Sequence, residues 1–146
     1  MKKLSAALRL VTDNTRAKPM LVPTRRSIRF NVDPKRISDW HTPGGPVLTA
    51  FLNTFSTILP VGERFFIDSV RAYRDQITDP ELKKAVTAFI GQEAMHGREH
   101  EEYNDALFAV SSVAPKFERL VEGVLKTFNK YSAPVSLSGT IALEHF

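Results

Sequence analysis

The amino-acid sequence contains two long stretches of helical periodicity that meet at a short turn. Apolar side chains recur three and four positions apart over residues 46–77 and again over a second stretch that ends near Val110, as in amphipathic helices. Between them, Thr78 or Asp79 can cap a helix, and Pro80 is tolerated in its first turn. Pro60 interrupts the first stretch, so we expect that helix to be kinked or split there. The pattern predicts a helical hairpin that turns at Thr78.

The rest of the chain divides into an N-terminal arm and two further helices. Residues 1–45 contain proline and glycine breakers and show no sustained helical period, and an alternating piece at 27–32 carries their strand signal. Apolar periodicity predicts a third helix at 117–131 and a fourth from Pro134 to Glu144. We therefore predict an all-α protein, with an irregular basic arm over 1–45 and a helical bundle over 46–146.

Charge and composition limit the function classes. The chain of 146 residues has no cysteine, so any bound metal must be held by His, Asp or Glu. Residues 1–40 carry ten basic and three acidic side chains, a charge of +7, against +4 for the whole chain. These basic residues are dispersed and no nucleic-acid motif accompanies them, which indicates a solvated, loosely ordered arm and no specific nucleic-acid partner. No stretch reaches the roughly 18 apolar residues of a membrane span, so a cytoplasmic location is the default expectation.

Polar side chains interrupt the apolar stripe of the second helix. At about 100° per residue, His96 and His100 fall within about 60° of Glu93. The same side carries mostly apolar residues and an amide: Val86, Phe89, Asn104 and Leu107. Burying an isolated carboxylate costs several kcal/mol, so Glu93 should be paired, protonated or bound to a cation.

The first helix repeats this anomaly at Glu63, which shares its side with Leu59, Phe66 and Val70. Glu63 and Glu93 each lie 15 residues from Thr78. In a hairpin turning there, both carboxylates stand about 22 Å from the turn on facing stripes. Like charges at the same depth in a core repel each other, and a bound divalent metal is the usual way to neutralise them.

Glu93 and His96 have Glu-x-x-His spacing, which places a carboxylate and an imidazole one turn apart. Ferritin-like dimetal bundles use one Glu from each of two helices and a Glu-x-x-His pair from each of the other two. Glu63 and Glu144 would be the single glutamates here. A second Glu-x-x-His pair is missing, and we expect a further helix after Phe146 to supply it. The pattern predicts a site for Fe, Mn or Zn, with a dinuclear centre as one form.

The stretch "FSTILPVGERFFIDSVRAYRDQITDPELKKAVTAFIGQEAMHGREHEEYN" resembles the family of predicted metal-dependent hydrolases. "RRSIRFNVD" and "IALEHF" are also similar to it, so the resemblance spans most of residues 25–146. It implies a ferritin-like helical domain with a metal site, in proteins that continue beyond "LEHF" into a helix with more Glu and His. It also implies metal-dependent hydrolysis.

Other interpretations of these residues stay open. Iron-dependent activation of dioxygen is the main rival to hydrolysis, and a non-catalytic helical interaction module with a hydrogen-bonded polar seam is a third class. His100 is either a further metal ligand or a partner that orients a ligand carboxylate. The acidic run Glu99, Glu101, Glu102 and Asp105 is expected on solvated outer faces. The substrate, a small molecule, cannot be read from the sequence, and a homodimer is one possible assembly.

Overall fold

The computed structural model describes residues 21–37, 43–128 and 130–145, and within them the fold is all-helical, without strands. The all-α prediction is therefore confirmed for this part of the chain. Much of the N-terminal arm, at 1–20 and 38–42, lies outside the described residues. A 3₁₀ turn at Pro34–Arg36 precedes four α-helices: α1 Gly45–Arg74, α2 Pro80–Val110, α3 Ala114–Phe128 and α4 Ala133–His145.

Helix α2 begins as its sequence predicts. Asp79 is the N-cap, and its Oδ1 accepts the amide N–H groups of Glu81 and Leu82, while Pro80 occupies the first turn. The helix ends at Val110, also as predicted. Among the described helices, none is long and apolar enough to cross a membrane.

Helix α1 is continuous through Pro60, so of the two expected outcomes, a kink or a split, the split does not occur. A proline has no amide hydrogen, so the carbonyl of Ser56, four residues earlier, loses its helical donor. The side-chain amide of Asn104 on α2 replaces that donor, with Nδ2 2.9 Å from the Ser56 oxygen. A side chain from the neighbouring helix therefore satisfies the carbonyl that Pro60 leaves free.

Helices α3 and α4 both pack against α1. The hydroxyls of Ser69 on α1 and Thr140 on α4 share a buried hydrogen bond of 2.7 Å. Helix α3 begins three residues before the predicted start, because the Ser111 hydroxyl accepts the amide N–H of Ala114 at its first turn. The sequence places Leu120 and Val124 on the apolar side of this helix, but Leu120 is 64% and Val124 50% exposed.

The described part of the arm, residues 21–37, contacts α2 through hydrogen bonds, while most of its residues are exposed to solvent. The amide of Phe30 donates to Oε2 of Glu99 at 2.9 Å, and Arg98 donates to the carbonyl of Ile28 at 3.1 Å. Ile37 is only 2% exposed and packs in the core with Leu107. The alternating piece at 27–32 forms no strand.

Candidate metal centre

Glu63 is a carboxylate buried in the interior of the protein without hydrogen bonds. Its side chain, on α1, is 3% exposed, and neither oxygen has a hydrogen-bond partner among the described residues. Nδ1 of His96 lies 2.6 Å from Oε1, but the contact lacks hydrogen-bond geometry. An ionised carboxylate in this position is strongly unfavourable unless a cation neutralises it.

The electrostatics of the site disfavour negative charge. Burial, followed by repulsion from Glu93, Glu101 and Glu144, raises the pKa of Glu63 from 4.5 to about 8 against a smaller opposing effect of Arg64. Burial and the charge of Glu144 also raise the pKa of Glu93, to about 7. In the metal-free protein near neutral pH, these carboxyl groups therefore retain protons that a solvated glutamate would lose.

A chain of hydrogen bonds fixes the tautomer of His100. Asn104 donates its Nδ2 to the Ser56 carbonyl, so its Oδ1 is the atom that faces the Ser56 hydroxyl, 2.9 Å away. That hydroxyl donates its single hydrogen to Oδ1, so it must accept from Nδ1 of His100 at 2.8 Å. Because burial and His96 lower the pKa of His100 to about 4, the ring is neutral and Nε2 keeps its lone pair. A neutral imidazole with a directed lone pair is the form that binds metals.

The two imidazoles meet at this lone pair. The Nε2 atoms of His96 and His100 are 3.1 Å apart, and the rings are nearly perpendicular with centroids separated by 4.7 Å. One donor atom from each of Glu63, His96 and His100 lies within 4.8 Å of the other two, a spacing that one metal ion can serve with small side-chain movements. In either neutral tautomer, His96 keeps one ring nitrogen with a lone pair that can bind a metal.

Gly97 leaves the space into which Glu63 fits. A Cβ atom added at Gly97 would lie 2.6 Å from Oε2 of Glu63. A glycine inside a helix costs about 1 kcal/mol relative to alanine. Here the glycine lets the carboxylate approach the backbone of α2, immediately after His96.

The other two predicted ligands lie near this group but outside it. Glu93 is buried but is not one of the three residues whose donor atoms group together, and the His96 ring contacts Glu63 on α1. Glu144 is exposed, one turn after the buried Thr140 on the α1-facing side of α4. Its charge nevertheless contributes to the raised pKa of both Glu63 and Glu93, which places it within electrostatic reach of them.

Glu99 is buried, so the expectation that it lies on a solvated face is wrong. Its side chain is 8% exposed, and it binds Arg98 at 2.7 Å and the amide of Phe30. The Phe30 hydrogen bond, and next the Arg98 hydrogen bond, lower the pKa of Glu99. The helical position of Glu99 is on the flank of the polar stripe, where the arm, whose path the sequence does not reveal, contacts it. Glu101, in contrast, is exposed as expected and pairs with Arg64.

The sequence reasoning also missed Ser56 and Gly97. A usable signal existed for each: Ser56 is two turns before Glu63 on the same stripe, and Gly97 is a glycine inside a long helix. Asn104, expected to be a buried amide at the end of the stripe, is 2% exposed and fully bonded to Ser56.

Comparison with known proteins yields one match. The family model described as predicted metal-dependent hydrolase matches residues 24–146, which is most of the chain and includes α1 to α4. Searches of curated proteins and of solved structures give no match.

Proposed function

The chain belongs to the family of predicted metal-dependent hydrolases, and from that premise we propose that Glu63, His96 and His100 hold a divalent metal ion that serves hydrolysis. The observation that carries this proposal is the buried, unbonded carboxylate of Glu63 facing two imidazoles. The space that Gly97 leaves for this carboxylate supports it independently.

The donor set fits the proposed ion. One carboxylate and two neutral imidazoles are ligands of catalytic zinc, and the same set binds non-haem iron. When bound, a divalent metal supplies Lewis acidity, which polarises a carbonyl group and makes water more acidic. In the proposed reaction an ester C–O or amide C–N bond breaks, the carbonyl carbon gains a hydroxyl from water, and the alcohol or amine leaves with the remaining proton.

The chain's own residues have definable tasks in this proposal. Glu63 gives up its proton and supplies the negative charge that offsets the cation. Ser56 holds Nδ1 of His100, so that Nε2 remains directed at the centre. Asn104 keeps Ser56 in that orientation by its two hydrogen bonds.

We extend the proposal to a second ion held by Glu93 and Glu144, as in ferritin-like dimetal sites. Mutual repulsion among Glu63, Glu93 and Glu144 supports this extension, because a second divalent ion would neutralise it. The three carboxylates also favour a second candidate function, iron-dependent oxidation, since hard oxygen ligands suit iron and manganese.

Metal analysis tests the proposed centre. The purified chain is stripped with a chelator, offered Fe²⁺, Mn²⁺ or Zn²⁺ and analysed for bound metal by mass spectrometry. We expect uptake that Glu63→Gln and His96→Gln abolish and that Asp68→Asn, an exposed carboxylate change on the same helix, leaves intact. Glu93→Gln and Glu144→Gln should halve the metal content if two ions bind and leave it unchanged if one binds. A folded protein that takes up none of the three metals is instead the non-catalytic helical module.

A second experiment separates the two chemistries. Hydrolysis of model esters by the zinc-loaded protein, lost in Glu63→Gln, supports the hydrolase. Oxygen uptake after anaerobic iron loading, with no ester hydrolysis under zinc, supports the oxidase and contradicts the hydrolytic proposal.

A further inference from the structure

An apolar cavity of about 470 Å³ opens beside the two imidazoles. It lies between α1, α2 and the arm, and His96 and His100 form part of its wall. A cavity of this size is in the range of small-molecule binding sites. On α1 its lining includes Ser56 and Leu52, so it extends from the level of His100 away from Glu63.

The polar groups in this wall already have partners within the protein. Ser56 is bonded to Asn104 and His100, and Glu99 is bonded to Arg98 and to the amide of Phe30. The hydroxyl of Tyr103 donates to Asn53. A ligand in this cavity therefore meets few polar groups that need its hydrogen bonds.

The remaining wall is apolar. It is formed by the exposed side chains of Leu52 and Phe55 from α1 and Phe30 from the arm, together with the partly buried Val32. Leu52 is 40% and Phe55 49% exposed, although both line a concave surface beside the metal ligands proposed above. Clustered exposed apolar side chains of this kind mark binding sites, and their burial by an apolar ligand is favourable.

A second cavity, of about 540 Å³, meets the first at Phe30, His96 and Glu99. Its lining is more polar and includes Thr24, Arg26 and Gln92. His96 therefore lines both an apolar cavity and a more polar one.

We propose that the substrate is an amphiphilic ester or amide whose unbranched apolar chain occupies the cavity along Leu52 and Phe55, with its polar part beyond His96 and its scissile bond between them. This assignment rests on the proposed hydrolytic function for the reaction, but its apolar-chain recognition is independent of the metal. Transfer of each methylene into the cavity should tighten binding by up to about fourfold until the cavity is filled.

Binding is tested on the metal-free full chain, using straight-chain alcohols from butanol to nonanol and titration calorimetry. We expect affinity to rise with each methylene and then level off. Leu52→Gln should weaken binding of octanol roughly threefold to tenfold, because it removes apolar wall at a position that is already partly exposed. Leu82→Gln is the matched control, since Leu82 is 39% exposed on α2 and lies outside the cavity lining.

Hydrolysis is tested on the zinc-loaded chain with nitrophenyl esters from acetate to decanoate. The ratio kcat/KM should rise with chain length in the unmodified chain, and Leu52→Gln should flatten this rise while Leu82→Gln preserves it. Failure of the two proposals is distinguishable. Length-dependent alcohol binding without any metal uptake or ester hydrolysis overturns the hydrolytic function and keeps the apolar-chain site. Alcohol binding that does not depend on length, or that Leu52→Gln does not weaken, overturns the apolar-chain site whether or not esters are hydrolysed.

Discussion

Replacing Glu63 by glutamine should stabilise the metal-free protein at alkaline pH. The pKa of Glu63 is about 8 in the folded chain, against 4.5 for an unperturbed glutamate. Between these values the folded chain holds a proton that the unfolded chain has released, so the free energy of unfolding falls as pH rises. The slope for this group approaches about 1.4 kcal/mol per pH unit, and the full shift corresponds to about 5 kcal/mol above pH 8.

Glutamine keeps the size of the side chain but cannot ionise. Glu63→Gln should therefore have an unfolding free energy similar to that of the unmodified chain near pH 5 and exceed it by several kcal/mol near pH 8. Chemical denaturation followed by circular dichroism, in the presence of a chelator, measures both values. Asp68→Asn is the control, because this carboxylate on the same helix is exposed and its side chain is 61% accessible.

Metal binding should reverse the pH dependence that Glu63 gives to the unfolding free energy. A bound cation requires Glu63 to be ionised, so stabilisation by Zn²⁺ should grow with pH in the unmodified chain and vanish in Glu63→Gln. Should Glu63→Gln lower the unfolding free energy of the metal-free protein by equal amounts near pH 5 and pH 8, the buried-charge argument is wrong.

Four further predictions follow from neighbouring contacts. Gly97→Ala should weaken metal binding and lower the unfolding free energy by about 1–3 kcal/mol, because its Cβ would lie 2.6 Å from Oε2 of Glu63. Gly123→Ala, whose Cβ meets nothing within 4 Å, should instead raise the unfolding free energy by about 0.5–1 kcal/mol, and equal effects of both variants in denaturation would contradict the role of Gly97 in admitting Glu63. Ser56→Ala should reduce metal affinity about tenfold to a hundredfold, since Nδ1 of His100 loses its acceptor, while Ser138→Ala, which removes only a hydroxyl bonded within its own helix, should leave calorimetric affinity unchanged. The lowered pKa of Glu99 means that its ionised form stabilises the arm above pH 4.5 and that this stabilisation is lost as pH falls through the lowered pKa. Hydrogen exchange at the Phe30 amide, corrected for its intrinsic pH dependence, should therefore accelerate well below pH 4.5 and, at neutral pH, in Glu99→Gln; protection that stays the same from pH 7 down to pH 2 would show that this contact does not hold the arm. Light scattering should detect a homodimer, because the exposed Leu120, Val124, Ile141 and Leu143 give α3 and α4 apolar surface that a second copy would bury; a monomer at all concentrations would refute this expectation.

The helices and the inward direction of the glutamates were predictable because both follow from local periodicity. The Asp79 cap with Pro80 behind it marks where α2 begins, whatever packs against that helix. Glu63 and Glu93 are buried because each lies on the apolar stripe of its own helix, and the hairpin register brings those stripes together. These features required only the geometry of one helix and the length of the turn.

Features that depend on a neighbouring element were not predictable in the same way. The continuity of α1 through Pro60 could not be predicted, because the donor that replaces the missing hydrogen bond belongs to Asn104 on another helix. Glu99 was expected in solvent because the arm that covers it has no periodic pattern. The contact of the His96 ring with Glu63 was also not predictable, since the sequence gives the direction of a side chain from its helix and not its rotamer or its nearest neighbour.

Two features of the structure meet at one point. Glu63 is a buried carboxylate without hydrogen bonds, and Gly97 gives up helix stability to admit it. A proton on Glu63 removes the buried charge and does no more. A divalent cation neutralises the carboxylate and also binds a lone pair from each of the two imidazoles beside it. This difference between a proton and a cation is why the arrangement favours a metal site over a hydrogen-bonded polar seam, and it is the difference that the opposite pH dependences of the metal-free and metal-loaded protein would measure.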